Sequence, residues 1–373
     1  MNRSVWFMAL AFSGVGLDSA SGEWPMYRGD AAQTGFSTNE VPERPSLLWT
    51  FKTGGAVRSS VVVRDGVAIV GSNDHSVYAL SVRAGEKRWT YRTEGEVEAP
   101  PTIHNGHVYV GSTDGNLYAL QLTDGTLKWT YATGDRILGA ANVWEEQGNI
   151  RVLIGSYDYF LHCMDGETGK KLWDLETENY INGSAAIFDT DVVIGACDGM
   201  VRVVKILTGE VKRKIEVGSY IAASIAMRDG IAYVGTYDNK FKAVSIDDGT
   251  IKWTYEDQEF PYVSSAAVTA EKVVFGGRDK RIHALERKTG RPVWVTAVRG
   301  RVDSPPVIAK DRVIVGCDDG RIYMLDLDHG AIQWTYEIGA RISSSPAVFN
   351  GLILVGCEDG SIYAFGADQR ESE

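Results

Sequence analysis

Residues 96–129 read EVEAPPTIHNGHVYVGSTDGNLYALQLTDGTLKW, and this stretch decides the fold. It contains short β-rich runs separated by the dipeptides Asn105-Gly106, Asp114-Gly115 and Asp124-Gly125. Such dipeptides favour tight hairpin turns because glycine, asparagine and aspartate tolerate the positive φ angles that these turns need. Together with the run that ends in Trp129, the stretch predicts four antiparallel β-strands.

The same pattern recurs along the chain. Tryptophan returns at nearly constant steps, and Arg213 takes its place in one unit. Eight units of about 40 residues with four strands each have the spacing of β-propeller blades, so we predict an all-β, eight-bladed β-propeller of four-stranded antiparallel blades. Seven tryptophans are expected to dock between blades: Trp49, Trp89, Trp129, Trp173, Trp253, Trp294 and Trp334.

The two ends of the repeat each supply part of one blade. The run at 47–53 has no preceding strands, whereas the last unit, at 341–366, ends after three strands. We therefore predict that residues 48–51 form the outer strand of the eighth blade. This N-terminal strand would close the ring and remove an exposed edge that invites aggregation.

The composition limits both the class and the partners of the protein. Its 373 residues are 44% hydrophobic and 23% charged, as in a globular protein. The formal charge of −11 argues against a nucleic-acid partner. An apolar run at 5–17 after a short basic start is typical of an export signal, with a buried N-terminal helix as the alternative. No run has the length that spans a membrane, so we expect a soluble, exported protein of the periplasm or cell surface.

The segment around each tryptophan resembles a known family. Residues 79–89, ALSVRAGEKRW, have alanine first, glycine seventh and tryptophan eleventh, and the pattern returns at 119–129, 243–253 and 284–294. Over residues 47–366 it resembles the docking motif of the pyrroloquinoline-quinone (PQQ) propellers. In its compact repeat units and its lack of an adjacent cysteine pair, the chain resembles the BamB-like branch of this superfamily. That resemblance implies an eight-bladed periplasmic propeller that binds partner proteins and has no catalytic role.

The N-terminal region also resembles a lead-in of exported propellers, because Trp24-Pro25 is followed by Arg28-Gly29. It forms either a plug or a side strap, and we favour packing of Trp24 and Tyr27 on the outer blade surface. The chain then has four expected parts: a signal peptide at 1–22, an N-terminal strap at 23–46, the propeller at 47–367 and a polar tail at 368–373.

Potential metal ligands are present, but none forms a convincing site. The four cysteines lack CxxC spacing and are expected to be small buried residues. His104 and His107 form a pair without a third ligand. One aspartate per unit is expected to bond to the amides of its own turn, too far from its neighbours to share an ion. These aspartates are Asp74, Asp114, Asp158, Asp198, Asp238, Asp279, Asp319 and Asp359.

The loops that lead into the innermost strands open on one face, which we call the mouth. Its arginines predict a locally positive potential and salt-sensitive binding. The alternative is that they pair with Glu96, Glu98 and Asp303 on a solvated rim. The candidate ligand- or partner-binding residues are Arg58, Arg136, Tyr180, Tyr220, Arg301, Asp303 and Arg341.

Two functions follow from the mouth. The first is a non-catalytic scaffold that needs no cofactor and binds a protein, a peptide or a small anion. The second is a quinone-dependent oxidoreductase that binds PQQ with calcium, in which Arg136, Arg301 or Arg341 would face the carboxylates of the cofactor. We favour the scaffold because the blade loops lack the long insertions that would build a cofactor chamber.

Overall fold

The structure is a computed structural model in which residues 23–257 and 259–368 are described. The expected signal peptide and residues 369–373 of the polar tail lie outside the described residues. Within them, the regular secondary structure is β-strand throughout. No helix of the described part is long and apolar enough to cross a membrane.

The strands follow one another in a regular order. In chain order they are β1 (Phe36–Ser37), β2 (Ser46–Lys52), β3 (Val62–Arg64), β4 (Val67–Ser72), β5 (Ser76–Ser81), β6 (Lys87–Arg92), β7 (Thr102–His104), β8 (His107–Gly111), β9 (Asn116–Gln121), β10 (Leu127–Ala132), β11 (Asn142–Glu146), β12 (Asn149–Gly155), β13 (Phe160–Asp165), β14 (Lys171–Glu176), β15 (Ala186–Phe188), β16 (Asp191–Gly195), β17 (Met200–Lys205), β18 (Val211–Glu216), β19 (Ala226–Arg228), β20 (Ile231–Gly235), β21 (Phe241–Ser245), β22 (Ile251–Tyr255), β23 (Ala267–Val268), β24 (Lys272–Gly277), β25 (Arg281–Glu286), β26 (Pro292–Ala297), β27 (Val307–Ala309), β28 (Arg312–Gly316), β29 (Arg321–Asp326), β30 (Ile332–Glu337), β31 (Ala347–Phe349), β32 (Leu352–Gly356) and β33 (Ser361–Gly366).

These strands form eight sheets, which are the blades of a propeller. Each blade has four antiparallel strands, and β1 adds to the inner edge of blade 7 by pairing parallel to β27. Each of the first seven blades takes four consecutive strands, from β3–β6 in blade 1 to β27–β30 in blade 7, with the first strand innermost. Blade 8 takes β31–β33 and adds β2 as its outer strand. Neighbouring inner strands contact one another around the whole ring. The predicted eight-bladed fold is therefore confirmed.

Closure of the ring by the N-terminal strand is also confirmed. Strand β2 pairs antiparallel to β33, with Trp49 opposite Ala364 and Phe51 opposite Ile362. The core lies between the blades, where Ile69 and Val77 of blade 1 pack with Val110 of blade 2 in one apolar cluster. Because each blade is covered on both faces, middle strands such as β8 are buried along their whole length.

Six of the seven tryptophans dock on the next blade through the same pair of contacts. The indole N–H of Trp89, for example, donates to the carbonyl of Leu122 at 2.9 Å. Its ring covers Gly125, where a methyl group would come within 2.6 Å of the indole. The turn glycine is therefore required both by its φ of +74° and by the close approach of the ring.

Two positions depart from this docking pattern. Arg213 reproduces the polar half of the contact, because its Nε donates to the carbonyl of Ile246 at 3.1 Å and its stem lies over Gly249. Trp334 has no such turn to cover, since the two chain ends replace it in blade 8. It packs instead on Phe365, with ring centroids 5.6 Å apart.

The strap is where the structure differs from the sequence prediction. Trp24 is only 2% exposed and exchanges two backbone hydrogen bonds with Val63, which lies in an inner strand. The expectation that Trp24 covers the outer blade surface is therefore wrong, and the plug alternative describes the structure. The reason is the unused hydrogen-bonding edge of the inner strands, which the strap satisfies.

From Trp24 to Ser37 the strap crosses the end of the channel opposite the mouth. It accepts backbone hydrogen bonds from inner strands of blades 1, 2 and 4–7, and the side chain of Asn142 in blade 3 adds another. Blade 8 is reached by Arg28, whose buried guanidinium donates to Ser345 at 2.9 Å and also to the carbonyl of Ala266 at 2.8 Å. This one segment thus contacts all eight blades.

Arg213, which takes the position of the docking tryptophan, should be the local weak point of blade 4. We expect Trp253→Arg to lower the free energy of unfolding by about 2 kcal/mol, because an arginine stem buries less apolar surface than an indole. The reciprocal change Arg213→Trp should raise it by about 1 kcal/mol. Urea unfolding measures both, and hydrogen exchange should be faster in β18 than in the other outer strands. Equal protection of all outer strands would contradict this expectation.

The strap should contribute to global stability. We expect Trp24→Ala to lower the free energy of unfolding by about 3–5 kcal/mol, because it leaves a cavity in the apolar cluster beneath blades 1, 7 and 8. Urea unfolding followed by tryptophan fluorescence measures the change. Met26→Ala, at a half-buried strap position, is the matched control and should cost much less. A similar loss in both variants would show that Trp24 has no special role.

Candidate functional site

The mouth consists of three rings, each with one residue per blade. The rim ring contains Ala56, Glu96, Arg136, Tyr180, Tyr220, Pro261, Arg301 and Arg341. The hairpin ring, between the second and third strands, contains Asn73, Thr113, Tyr157, Cys197, Tyr237, Arg278, Asp318 and Glu358. The throat ring contains Arg58, Glu98, Leu138, Asn182, Ala222, Val263, Asp303 and Ser343.

Backbone hydrogen bonds hold the rim ring and the hairpin ring together. In every blade the N–H of the hairpin residue donates to the carbonyl of the rim residue, as from Asn73 to Ala56 at 2.9 Å and from Glu358 to Arg341 at 3.0 Å. Because these bonds use no side chain, they constrain the residue type only by excluding proline from the hairpin ring. The side chains of the mouth are thus free to vary on a constant frame.

A cavity of about 220 Å³ lies below the throat ring. Tyr27 of the strap contributes to its lining, together with serines that lie deeper than the throat ring. These serine hydroxyls link neighbouring blades, since Ser184 Oγ accepts from the N–H of Ala140 and Ser224 Oγ accepts from that of Ser184, both at 2.8 Å. The cavity wall is therefore polar and held in place by its own hydrogen bonds.

One side of the mouth is a network of ion pairs, which we call the charged arc. Asp303 accepts from Arg278 at 2.9 and 3.0 Å and from Arg341 at 3.0 Å. Arg341 also donates to Asp318 at 2.7 Å. The charged arc contains Arg58, Glu98, Arg278, Asp303, Asp318, Arg341 and Glu358.

The pKa values of the charged arc reflect this pairing. The hydrogen bond to Asp303 raises the pKa of Arg278, and the bond to Glu98 does the same for Arg58. Burial raises the pKa of Asp318, although Arg341 opposes the shift. The guanidinium groups of this arc are therefore engaged by carboxylates of the same protein.

The expected excess of positive charge at the mouth is absent. The three rings contain five arginines, and five carboxylates match them: Glu96, Glu98, Asp303, Asp318 and Glu358. The alternative expectation, that the arginines of the mouth pair with its carboxylates, holds for Arg58 and Arg341. Arg301 is exposed, and among the described residues no carboxylate forms an ion pair with it.

The other side of the mouth is aromatic, and we call it the aromatic arc. Tyr180 stacks on Tyr157 at 4.7 Å and on Tyr159 at 5.1 Å between ring centroids. The guanidinium carbon of Arg136 lies 4.3 Å from the ring centroid of Tyr157. The aromatic arc contains Arg136, Tyr157, Tyr159, Tyr180, Tyr220, Tyr237 and Phe260.

The structure divides the sequence-predicted site residues between the two arcs. Arg136, Tyr180 and Tyr220 belong to the aromatic arc. Arg58, Asp303 and Arg341 belong to the charged arc, and Arg301 stands on the rim beside it. Sequence reasoning missed the hairpin ring. The sequence did contain a signal for this ring, because each of its residues directly precedes the recurring aspartate of its blade.

Six of the eight recurring aspartates bond to an amide of their own turn, as predicted, and Asp74 and Asp238 do not. In six blades the carboxylate accepts from the backbone N–H two residues later, for example from Asn116 to Asp114 at 2.8 Å. Many also bind the side chain four residues later, as Tyr118 donates to Asp114 at 2.8 Å. Four of them also accept from a backbone N–H of the loop that leads in from the preceding blade, as Asp114 does from Gly95 at 3.0 Å, so these carboxylates also join neighbouring blades.

Other potential metal ligands are similarly engaged. Asp257, Asp279 and His283 offer ligand atoms within 4.8 Å of one another. However, His283 bonds to Asp279 at 3.0 Å and to Tyr255 at 3.2 Å, and Asp257 pairs with Arg281. His104 bonds to Glu145 at the end of the blade opposite the mouth.

The cysteines are single buried or half-buried thiols with no disulfide among them. Burial raises the pKa of both Cys317 and Cys357 to about 12. The sequence prediction that they are small residues in tight spaces agrees with this environment.

The fold and the site define an eight-bladed propeller with one plugged channel end and one open mouth. The sequence profile of outer membrane protein assembly factor BamB matches residues 42–153, 158–294 and 263–369. The chain therefore belongs to the BamB family. Among curated proteins, no sequence matches it.

Solved structures are similar in fold at low sequence identity. BamB from Moraxella catarrhalis has a TM-score of 0.74 at 17% identity, covering 87% of this chain and 100% of that one. Quinohemoprotein alcohol dehydrogenase from Comamonas testosteroni has a TM-score of 0.81 at 15% identity, covering 93% and 81%. A europium-containing methanol dehydrogenase has a TM-score of 0.80 at 14% identity, covering 94% and 99%.

A buried contact beside the mouth should make stability depend on acid pH. Burial alone would raise the pKa of Asp158, but hydrogen bonds from His162 and from backbone N–H groups lower it to about 2. A carboxyl with a lower pKa in the folded state stabilises that state above pH ~4, and the contribution disappears as the pH falls toward ~2. Urea unfolding at pH 5 and pH 2.5 should therefore show a smaller acid loss for Asp158→Asn than for the wild type.

The control for this measurement is Asp189→Asn, at an exposed hairpin position. It should keep the acid dependence of the wild type. An unchanged acid dependence in Asp158→Asn would contradict the assignment.

Proposed function

We propose that this protein is an exported, non-catalytic propeller that holds a partner protein at its mouth. The observation that carries the proposal is the composition of the mouth. The charged groups of the charged arc pair with each other, whereas the aromatic rings of the mouth are exposed to solvent. Exposed aromatic surface beside satisfied polar groups is typical of protein interaction sites.

Membership of the BamB family supports the same proposal. The family description names assembly of outer membrane proteins, a task that requires contact with other proteins. The apolar run at 5–17 supports export. For this chain, both the partner and the location are proposals.

The residues of the mouth do not fit PQQ with calcium. Asp303 is bonded to both Arg278 and Arg341, so its oxygens are engaged where calcium would need them. A cofactor with several carboxylates would also face Glu98 and Asp303, which line the cavity. We therefore derive no reaction through a quinone.

A small anion is also a poor fit to this cavity. Among the described residues that line it, Arg58 is the only basic one, and its guanidinium donates to Glu98 at 2.7 Å. An anion bound there would have to displace this carboxylate or lie beside it. A protein partner that covers the aromatic arc needs no such exchange.

Site-specific photo-crosslinking in producing cells tests the proposal. A photoreactive phenylalanine analogue replaces Tyr220 at the mouth, and in a matched variant replaces Leu207 in a turn near the opposite face. We expect discrete protein adducts from Tyr220 and none of the same mass from Leu207. Both variants should unfold at the temperature of the wild type.

Two outcomes would contradict the proposal. One is the absence of adducts specific to the mouth, either because both positions give the same adducts or because the mouth gives none. The other is stable retention of PQQ by the purified protein in calcium buffer, followed by reduction of a dye with an alcohol substrate.

A further inference from the structure

The aromatic arc collects every exposed aromatic side chain of the described residues. These are Tyr159, Tyr180, Tyr220, Tyr237 and Phe260, and Tyr220 is 57% exposed. They stand on the mouth side of blades 3–6. Tyr180, on the loop that leads into blade 4, stacks on Tyr157 of blade 3, so rings of these two neighbouring blades are in contact.

Tyr159 occupies a backbone position that disfavours it. Its φ is +76°, in the left-handed region, where blades 2 and 4 have glycine but blades 1, 5 and 6 also have residues other than glycine, namely His75, Asn239 and Lys280. A bulky side chain is costly there, and such outliers often mark functional sites. The ring of Tyr159 stacks on Tyr180 at the surface, where it adds little to a buried core. The ring of Tyr159 thus adds exposed aromatic surface beside Tyr180.

Arg136 differs from the other arginines of the hairpin, throat and rim rings except Arg301. It lies over Tyr157, and among the described residues no carboxylate forms an ion pair with it. By contrast, Arg58, Arg278 and Arg341 all have carboxylate partners. The aromatic arc therefore presents a cation that a carboxylate of the occupant can pair with.

Two amide side chains beside the aromatic arc, those of Asn179 and Asn182, each make one donor and one acceptor bond within the protein. Asn182 accepts from Tyr157 at 2.7 Å and donates to the carbonyl of Ala222 at 2.8 Å. Asn179 donates to the carbonyl of Cys197 and accepts from the N–H of Tyr180. A glycan would need such groups for its hydroxyls, whereas an apolar side chain needs only the faces of the rings.

We infer that the aromatic arc binds an extended segment of a partner protein, with proline or aromatic side chains next to a carboxylate. The inference rests on the proposed function and specifies its partner. Rings of Tyr180 and Tyr220 would receive the apolar side chains, and Arg136 would pair with the carboxylate. A proline-containing segment is already extended, so it loses little conformational entropy when it docks on an aromatic surface.

Selection from a random peptide library tests this inference. A phage library of random 12-residue peptides is selected on the immobilised full-length protein and counter-selected on the double variant Tyr180→Ser, Tyr220→Ser. We expect enriched peptides to carry proline or aromatic residues within three positions of aspartate or glutamate. Their Kd should increase about tenfold in the double variant, which corresponds to loss of a buried aromatic contact.

Matched variants separate the arc from general surface effects. Leu127→Ser, Leu172→Ser removes two exposed apolar side chains from outer strands and should leave the Kd unchanged. Arg136→Glu should weaken binding about tenfold, and a peptide with lysine in place of its carboxylate should recover it. Thermal unfolding of every variant verifies that the fold is retained.

Several results would overturn the inference. They are no enrichment over the counter-selection, enrichment of lysine- and arginine-rich peptides, or binding of chitohexaose that depends on Tyr180 and Tyr220. If crosslinks from the mouth persist in the double variant, the proposed function stands and the arc is not its binding surface. If the mouth gives no crosslinks at all, the proposed function itself fails.

Discussion

Closure of the ring through a composite blade is the constraint on which the rest of the structure depends. Strand β2 pairs with β33, and the same N-terminal segment passes beneath the propeller before it reaches this strand. There it meets the free edges of the inner strands and accepts hydrogen bonds from their N–H groups, from Val63 in blade 1 to Ile308 in blade 7. The segment that closes the ring thus also plugs the channel and leaves a single open mouth.

The mouth combines a constant backbone with variable side chains. The bond from hairpin N–H to rim carbonyl recurs in all eight blades, so the frame is stable whatever residue other than proline stands in the hairpin ring. Blade 3 therefore carries Tyr157 where blade 8 carries Glu358, at no cost in backbone hydrogen bonds. Departures from the repeat are accordingly the places where function can differ between members of one fold.

The sequence predicted what is local and periodic. Turn dipeptides such as Asp114-Gly115 and the spacing of the tryptophans depend on neighbours within one unit, so strands, blades and closure could be read directly. The path of Trp24 could not be predicted, because its partner Val63 offers no pattern that distinguishes an inner strand edge from an outer surface.

The charges of the mouth were predictable only in part. Arg58 and Glu98 stand one repeat apart, so their pairing at 2.7 Å agrees with the spacing of the blades. The pair between Arg278 and Asp303 joins two different rings, and only the three-dimensional arrangement reveals it. The predicted positive potential is therefore absent, since the carboxylates of the three rings match the arginines in number.

Separation of the two arcs favours one footprint for a partner. A partner over the charged arc would take ion pairs such as Arg341 with Asp318 out of water and would gain little from groups that are already paired. Over the aromatic arc it removes ring surface from water, which is favourable, and meets one unpaired cation, Arg136, held against Tyr157. The partner should therefore lie off the propeller axis, over blades 3–6, because that is where desolvation costs least.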